Sequence, residues 1–145
     1  MPAPDPGPPT TTLLRSAYNA MSAAIYRHVA QAAGTGLRPA HGNALEMLAL
    51  EDGLRLTDIA AQAGMAPQSM GELVDDLVAK GYLRRQEDPA DRRAKRIYLT
   101  DKGRNTAAAG EAATTQAEAQ IQAAIGPRQY QQLRRNLAAI AHLDL

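Results

Sequence analysis

The 145-residue sequence contains no cysteine, no phenylalanine and no tryptophan, and it has only five tyrosines. The absence of cysteine excludes disulfides, thiolate metal sites and cysteine-based redox sensing. Hydrophobic residues make up 45% of the chain, but they are mostly alanine and leucine, and small side chains such as that of alanine bury little area each. A chain of this size with so few large apolar side chains gains stability from a partner surface, so we expect a homodimer.

Long hydrophobic runs are also absent, since no stretch approaches the roughly 18 apolar residues of a membrane span. The first nine residues, MPAPDPGPP, lack the basic start, apolar run and cleavage site of a signal peptide. Their proline content is typical of a disordered, extended leader, which we expect over residues 1–9. We therefore expect a cytoplasmic protein that does not bind membranes.

Apolar residues recur at helical spacing through most of the chain. The predicted helices are 10–33, 39–50, one from Thr57 to Gly64, one from Pro67 to Lys80, 104–125 and 129–143. A threonine among residues 10–12 is expected to cap the first helix, and Thr57 the third. The runs YLRR and KRIYLT flank the charged segment EDPADRR, which predicts a β-hairpin over 82–100 with a long loop at its tip.

Two of the predicted helices have the spacing of a helix-turn-helix. Ala60 is followed four residues later by Gly64, and Met70 comes six residues after that. Ile59 and Leu73 supply apolar contacts on either side of the turn. This spacing favours a DNA-binding motif whose second helix lies in the major groove, although an ordinary helical hairpin in a core has it too.

The predicted hairpin concentrates positive charge. Residues 82–104 contain eight basic and four acidic residues, an excess of +4, whereas the whole chain carries +1. Binding to phosphates requires such concentration, because each neutralised phosphate releases condensed counterions. A basic hairpin after a helix-turn-helix indicates a winged helix whose tip can place arginines in the minor groove. We expect Asp91 to pair with a neighbouring arginine. The alternative to a DNA-binding wing is a solvated charged loop.

Four motifs in this region resemble the winged-helix core of the MarR (multiple-antibiotic-resistance regulator) family. They are LTDIA at 56–60, LVDDLVAKGY at 73–82, RQEDPADRR at 85–93 and LTDKG at 99–103. The resemblance implies a mainly α fold with a small β-hairpin. A winged helix-turn-helix in residues 37–103 is then flanked by N- and C-terminal dimerisation helices in 10–36 and 104–145.

The resemblance also implies a homodimeric transcription regulator, a repressor that binds double-stranded DNA at a pseudo-palindromic operator. A small aromatic or anionic ligand is expected to bind between the dimer helices and the DNA-binding lobe and to weaken operator binding. The residues expected to contact DNA are Thr57, Pro67, Gln68, Ser69, Glu72, Arg84, Arg85, Asp91, Arg92, Arg93 and Lys95.

The recognition helix departs from the family pattern at its start. The usual Ser or Thr cap is replaced by Ala66, which loses roughly 1 kcal/mol of capping. Pro67 offsets part of that loss by fixing φ. Residues 54–80 contain two basic and four acidic residues, so this lobe is acidic.

Glu72 in that helix leaves two interpretations open. In one, Gln68 and Ser69 read base edges and Glu72 accepts a hydrogen bond from a cytosine amino group. In the other, Glu72 pairs internally with Arg55 or another cation, and the helix contributes little to recognition. The acidic lobe also leaves an alternative function, a winged-helix protein-interaction module with weak or no specific DNA binding.

Candidate ligand-contacting residues lie on the first two predicted helices, and they are Tyr18, Met21, Tyr26 and His41. Tyr18 and Met21 fit plain core or dimer contacts as well. The three histidines show no His-x-x-x-His spacing, so we expect neither a metal site nor a cofactor.

Catalytic motifs are missing. The sequence has no glycine-rich phosphate loop and no assignable Ser-His-Asp set. Asp75 and Asp76 are adjacent on a predicted helix and point about 100° apart, so they cannot act together on one substrate. We therefore do not expect an enzyme.

Overall fold

The computed structural model describes residues 7–34 and 36–144. Within these residues the helices are α1 (Thr10–Ala33), α2 (Pro39–Leu50), α3 (Leu56–Gln62), α4 (Pro67–Ala79), α5 (Asp101–Ile125) and α6 (Pro127–Ala141). The strands are β1 (Leu54–Arg55), β2 (Leu83–Asp88) and β3 (Asp91–Leu99), and they form an antiparallel sheet in the order β1-β3-β2. The predicted mainly α fold with a small hairpin is confirmed. Residues 1–6 of the predicted leader lie outside the described residues.

The helix-turn-helix and the sheet share one apolar core. Its buried members are Ala44, Leu45, Leu48, Leu54, Ile59, Ala60, Met70, Val74, Leu77, Tyr82, Leu83, Ile97 and Leu99. The α3–α4 turn passes through Gly64, whose φ of +64° is a conformation that glycine adopts readily. Each fully buried large apolar side chain contributes roughly 1.5–3 kcal/mol, so α4 is held firmly against α2, α3 and the sheet.

The start of α3 differs from the prediction. The helix begins at Leu56 with Arg55 at the N-cap position, and no side chain makes a capping hydrogen bond, so the predicted cap at Thr57 is wrong. The reason is the short strand β1, in which Leu54 pairs with Ile97 and Arg55 with Arg96. The chain passes directly from this strand into the helix, which places Thr57 inside the first turn. The threonine cap predicted for α1 is also wrong, because Pro9 occupies that N-cap position.

The hairpin has a short tip instead of the predicted long loop. Strand β2 continues to Asp88 and β3 begins at Asp91, so only Pro89 and Ala90 connect them. Asp88 Oδ1 accepts a hydrogen bond from the backbone N–H of Ala90 at 2.9 Å, which closes the turn. The charged residues at 91–93 therefore belong to strand β3, in which Asp91 pairs with Asp88 and the register shifts before Lys95 pairs with Glu87.

Helices α1, α5 and α6 lie outside the helix-turn-helix and the sheet. Helix α5 begins three residues earlier than predicted, because Thr100 Oγ1 accepts a hydrogen bond from the N–H of Gly103 at 3.0 Å. Helix α6 buries Tyr130 and leaves an apolar row about two-fifths exposed, with Leu133 at 39%, Leu137 at 40% and Ile140 at 37%. No helix of the described ranges has the length and hydropathy needed to cross a membrane.

Candidate nucleic-acid interface

The wing tip presents two arginines without protein partners. Arg92 and Arg93 follow the two-residue turn at the start of β3, and both are exposed. Within residues 7–34 and 36–144, neither side chain makes a hydrogen bond or an ion pair. Asp91 Oδ1 instead accepts the backbone N–H of Arg93 at 3.0 Å, so the predicted pairing of Asp91 with an arginine side chain is wrong. Both guanidinium groups are available to an external anion.

The other basic side chains of the hairpin region have partners within the protein. They are Arg84, Arg85, Lys95, Arg96, Lys102 and Arg104. Arg84 lies over the ring of Tyr98, 4.7 Å from its centroid, and Arg85 pairs with Asp75 on α4. Exposed ion pairs of this kind are weak. Arg85 can therefore exchange its carboxylate for a phosphate at little cost.

A buried carboxylate ties the wing to the helix-turn-helix. The side chain of Asp88 is only 1% exposed. Its Oδ2 accepts hydrogen bonds from Arg55 Nε at 2.9 Å and Arg96 Nε at 3.0 Å, and Arg96 also donates to the carbonyl of Gly53. The amide of Ala90 and the Arg55 guanidinium keep the pKa of Asp88 below its ordinary value. We call Arg55, Asp88 and Arg96 the wing clamp.

The wing clamp is not predicted by the sequence. Arg96 contributes there only to the positive charge of the hairpin, and Arg55 is a candidate only as a partner for Glu72. The available signal was the order Asp-Pro-Ala at the tip, since an aspartate often accepts a hydrogen bond from the backbone two residues further on.

The recognition helix α4 turns a polar face outward. Gln68, Ser69 and Glu72 are exposed, whereas the opposite face is buried in the core. Among the described residues Glu72 has no ion-pair partner, and Arg55 is bound to Asp88. Of the two interpretations left open by the sequence, the one in which Glu72 pairs internally with Arg55 or another cation is therefore not found among the described residues. The carboxylate of Glu72 stands free beside Gln68 and Ser69.

Two of the four acidic side chains in residues 54–80 are paired inside the protein. Asp75 pairs with Arg85, and Asp76 Oδ2 lies 2.6 Å from Lys80 Nζ. The hydrogen bond from Lys80 lowers the pKa of Asp76. The acidic count over 54–80 therefore overstates the negative charge that this surface presents, and Glu72 is the carboxylate that remains free on α4.

His41 faces the recognition helix. Its ring is fully buried, Nδ1 accepts the backbone N–H of Arg38 at 2.9 Å, and Nε2 lies 2.8 Å from Asp76 Oδ2. Burial lowers the pKa of His41, Asp76 opposes that shift, and Lys80 and Arg38 add to it. The prediction that His41 lines a ligand pocket is wrong, because the contact with α4 turns its ring toward the lobe.

We expect the free energy of unfolding to fall on acidification, in part through His41. Because its pKa is below the ordinary value of 6.5, the unfolded chain binds a proton at this residue before the folded chain does. The stabilisation due to neutral His41 is full above the ordinary pKa, and it is lost as the pH falls from there through the lower pKa of the folded state. His41→Asn, which keeps an acceptor for Arg38, is expected to flatten the decline in urea unfolding between about pH 7 and about pH 5. The exposed control His142→Asn should keep the wild-type decline, and an unchanged decline in His41→Asn would contradict the assignment.

A cavity of about 210 Å³ lies between α1, α2 and α5. Tyr18 and Tyr26 line it, as predicted, whereas Met21 and His41 do not. Tyr26 Oη donates a hydrogen bond to the carbonyl of Pro39 at 3.3 Å, and burial raises the pKa of this phenol. A side chain at Gly42 would overlap the Tyr26 hydroxyl, so glycine there leaves room for that ring. No cluster of three potential metal ligands occurs in the part of the chain described.

Comparison with known proteins finds similar transcription regulators. Residues 35–94, from the α1–α2 connection to the start of β3, match the family model described as MarR family. The repressor CouR, solved with a 23-mer DNA duplex, is 28% identical over 92% of this chain and 93% of its own, with a TM-score of 0.79. A probable transcriptional regulator from Pseudomonas aeruginosa is 26% identical over 90% of this chain and 96% of its own, with a TM-score of 0.76.

A third solved structure, a MarR-family transcriptional regulator from Rhodococcus sp. RHA1, is 29% identical over 90% of both chains, with a TM-score of 0.69. These proteins are regulators of transcription and not enzymes, and the likeness extends beyond the winged helix to the flanking helices. The winged-helix region of the chain therefore matches the MarR family, and the chain as a whole is similar in fold to solved transcription regulators, one of them of that family.

Proposed function

We propose that the protein is a homodimeric, sequence-specific DNA-binding repressor and that a small ligand lowers its affinity for its operator. The observation that carries the proposal is the pair of unpartnered arginines, Arg92 and Arg93, on a wing clamped beside the exposed face of α4. The DNA duplex bound to CouR supports it, since that repressor shares this fold at 28% identity.

DNA contacts divide between the two elements. Helix α4 lies in the major groove, where Gln68 and Ser69 meet base edges and Glu72 accepts from a cytosine amino group. The wing lies along the adjacent minor groove, where Arg92 and Arg93 meet the phosphates and the groove floor. The remaining proposed contacts are Thr57, Pro67, Arg84, Arg85, Asp91 and Lys95.

The apolar side chains left exposed outside the winged helix support the homodimer. Leu13 and Leu14 at the start of α1 are 54% and 37% exposed, and the row on α6 is similarly open. A two-fold dimer through 10–36 and 104–145 covers these side chains and leaves 37–103 free for DNA. Its two recognition helices then match half-sites about 34 Å apart on a pseudo-palindromic operator.

The cavity supports the ligand response, because one of its walls also contacts the recognition helix. Pro39 and Gly42 of α2 line the cavity. Between them in sequence, His41 reaches Asp76 of α4 across 2.8 Å. A ligand that displaces the start of α2 therefore also displaces the contact that positions α4.

The first test is a fluorescence-anisotropy titration with DNA from the region upstream of the coding sequence, against scrambled DNA, at two salt concentrations. A DNA-binding repressor should prefer the upstream sequence and lose affinity steeply with salt. Equally weak binding to both DNAs would favour the protein-interaction module instead, for which the uncapped start of α4 at Ala66 and the free Glu72 are the supporting observations.

Gln68→Ala is expected to relax base preference at one or two operator positions, at a cost of about 1–3 kcal/mol, because the side chain lies exposed at the start of α4. Competition titrations against operators substituted at each position would measure this. Gln122→Ala, an exposed glutamine on α5, is the control and should leave preference unchanged. Equal losses on operator and random DNA would contradict base reading by Gln68.

A further inference from the structure

The cavity between α1, α2 and α5 has no basic side chain in its walls. Of the described residues that line it, Glu46 is the one that carries a charge, and the polar remainder consists of tyrosine and other hydroxyls and one amide. Arg104 shares an adjoining groove with Glu46, but it is engaged by Asp101 at 2.7 Å and lies 3.7 Å from Asp52. Glu46 is exposed, so it lies at the open edge of the cavity, and it makes no ion pair among the described residues. A ligand in the cavity therefore meets a carboxylate that has no neutralising partner there.

The aromatic rings of the cavity also favour a cation over an anion. Tyr18 and Tyr26 both line the cavity, and aromatic faces attract cations through their negative quadrupole. Burial raises the pKa of Tyr26, and the Glu46 carboxylate adds to that shift, so the surroundings of this ring disfavour a further negative charge. Tyr18 is 60% exposed, so an anion placed there loses part of its hydration and gains no basic partner among the described residues.

We propose that the ligand of this cavity is a small aromatic cation, bound by the Glu46 carboxylate and the faces of Tyr18 and Tyr26, and not an aromatic anion. The cavity of about 210 Å³ exceeds the roughly 150 Å³ that is known to accept benzene, so a single ring with a cationic group fits. This inference rests on the proposed ligand response, because it names the ligand class of the same cavity.

Titration calorimetry on the full-length protein without DNA tests the inference with three single-ring probes: phenyltrimethylammonium, benzoate and benzyl alcohol. The cation is expected to bind about tenfold more tightly than benzoate, the size of effect that a partly desolvated cation–aromatic contact with a carboxylate gives. Glu46→Gln is expected to remove most of this preference. Glu51→Gln, a neighbouring exposed glutamate outside the cavity wall, should retain it.

Tyr18→Leu separates charge recognition from simple filling of the cavity. It is expected to weaken the cation several-fold more than benzyl alcohol, because leucine keeps the apolar contact and loses the ring face. Tighter binding of benzoate, an unchanged ratio in Glu46→Gln, or no binding of any probe would each overturn the inference.

The calorimetric result does not depend on the proposed regulation, because no DNA is present. Anisotropy of the operator complex with and without phenyltrimethylammonium then tests the regulation itself. Release of DNA from the wild type but not from Glu46→Gln supports both proposals. Binding of the cation without release upholds the ligand class and contradicts the ligand response.

Discussion

The double substitution Arg92→Ala with Arg93→Ala is expected to weaken operator and random DNA alike, by about ten- to a hundredfold at moderate salt. Both guanidinium groups are exposed and have no partner among the described residues, so each can neutralise a phosphate without first breaking an internal pair. Each lost phosphate contact lowers the slope of log K against log salt by about 0.9, which gives a reduction of about 1.8 for the pair. Anisotropy titrations at several salt concentrations measure both quantities.

A matched control removes the same charge elsewhere. Arg27→Ala with Arg128→Ala deletes two exposed arginines from α1 and α6, away from the wing. If the effect depended on net charge alone, both double variants would change the slope equally. A slope that is unchanged in the wing variant would mean that the wing does not touch DNA.

Leu137→Asp is expected to dissociate the proposed dimer. Leu137 lies in the middle of the apolar row on α6 and is 40% exposed in the single chain. A carboxylate buried there without a partner costs roughly 3–5 kcal/mol, which weakens dimerisation by about two to three orders of magnitude or more. Sedimentation velocity over a range of concentrations measures the dissociation constant.

Asn136→Asp is the control, because it adds the same charge one residue earlier on α6, where Asn136 is exposed and bonds to Gln132. It should remain dimeric. The lobe of Leu137→Asp should stay folded, since its core lies in residues 44–99 and not in α6. Operator affinity should fall with dimerisation, because one half-site cannot replace two. An intact dimer in Leu137→Asp would place α6 outside the interface.

The long helices could be predicted from sequence because their apolar faces repeat over many turns. Helices α1 and α2 begin and end where the periodicity indicated. Strand β1 could not be predicted in this way, since it has two residues and exists only through pairing with β3, some forty residues further along the chain. The strands of the wing tip also lacked a signal, because both of their faces meet water and so show no apolar alternation.

The candidate site was predictable in position but not in detail. Charge density located the wing, and Arg92 and Arg93 were among the residues expected to contact DNA. Which basic residues are free depends on where Asp88 and Asp75 lie in space, and sequence spacing does not reveal that. Sequence spacing does not reveal the orientation of His41 either, because its partner Asp76 lies 35 residues later, on another helix. The charge of the cavity wall likewise depends on three helices that meet only in the folded chain.

In the proposed repressor, the wing clamp limits the half-site spacings at which the dimer can bind. Arg55 leads into the helix-turn-helix, Asp88 closes the wing tip, and Arg96 bonds to both Asp88 and the Gly53 carbonyl. Wing and recognition helix therefore move as one piece, and in the proposed dimer only the separation and rotation of the two lobes can adjust. One base pair inserted between the half-sites turns them by about 34° relative to each other. Two stiff lobes joined at one interface cannot follow that turn by bending a wing. The protein should therefore reject operators with the wrong half-site spacing as firmly as operators with the wrong sequence.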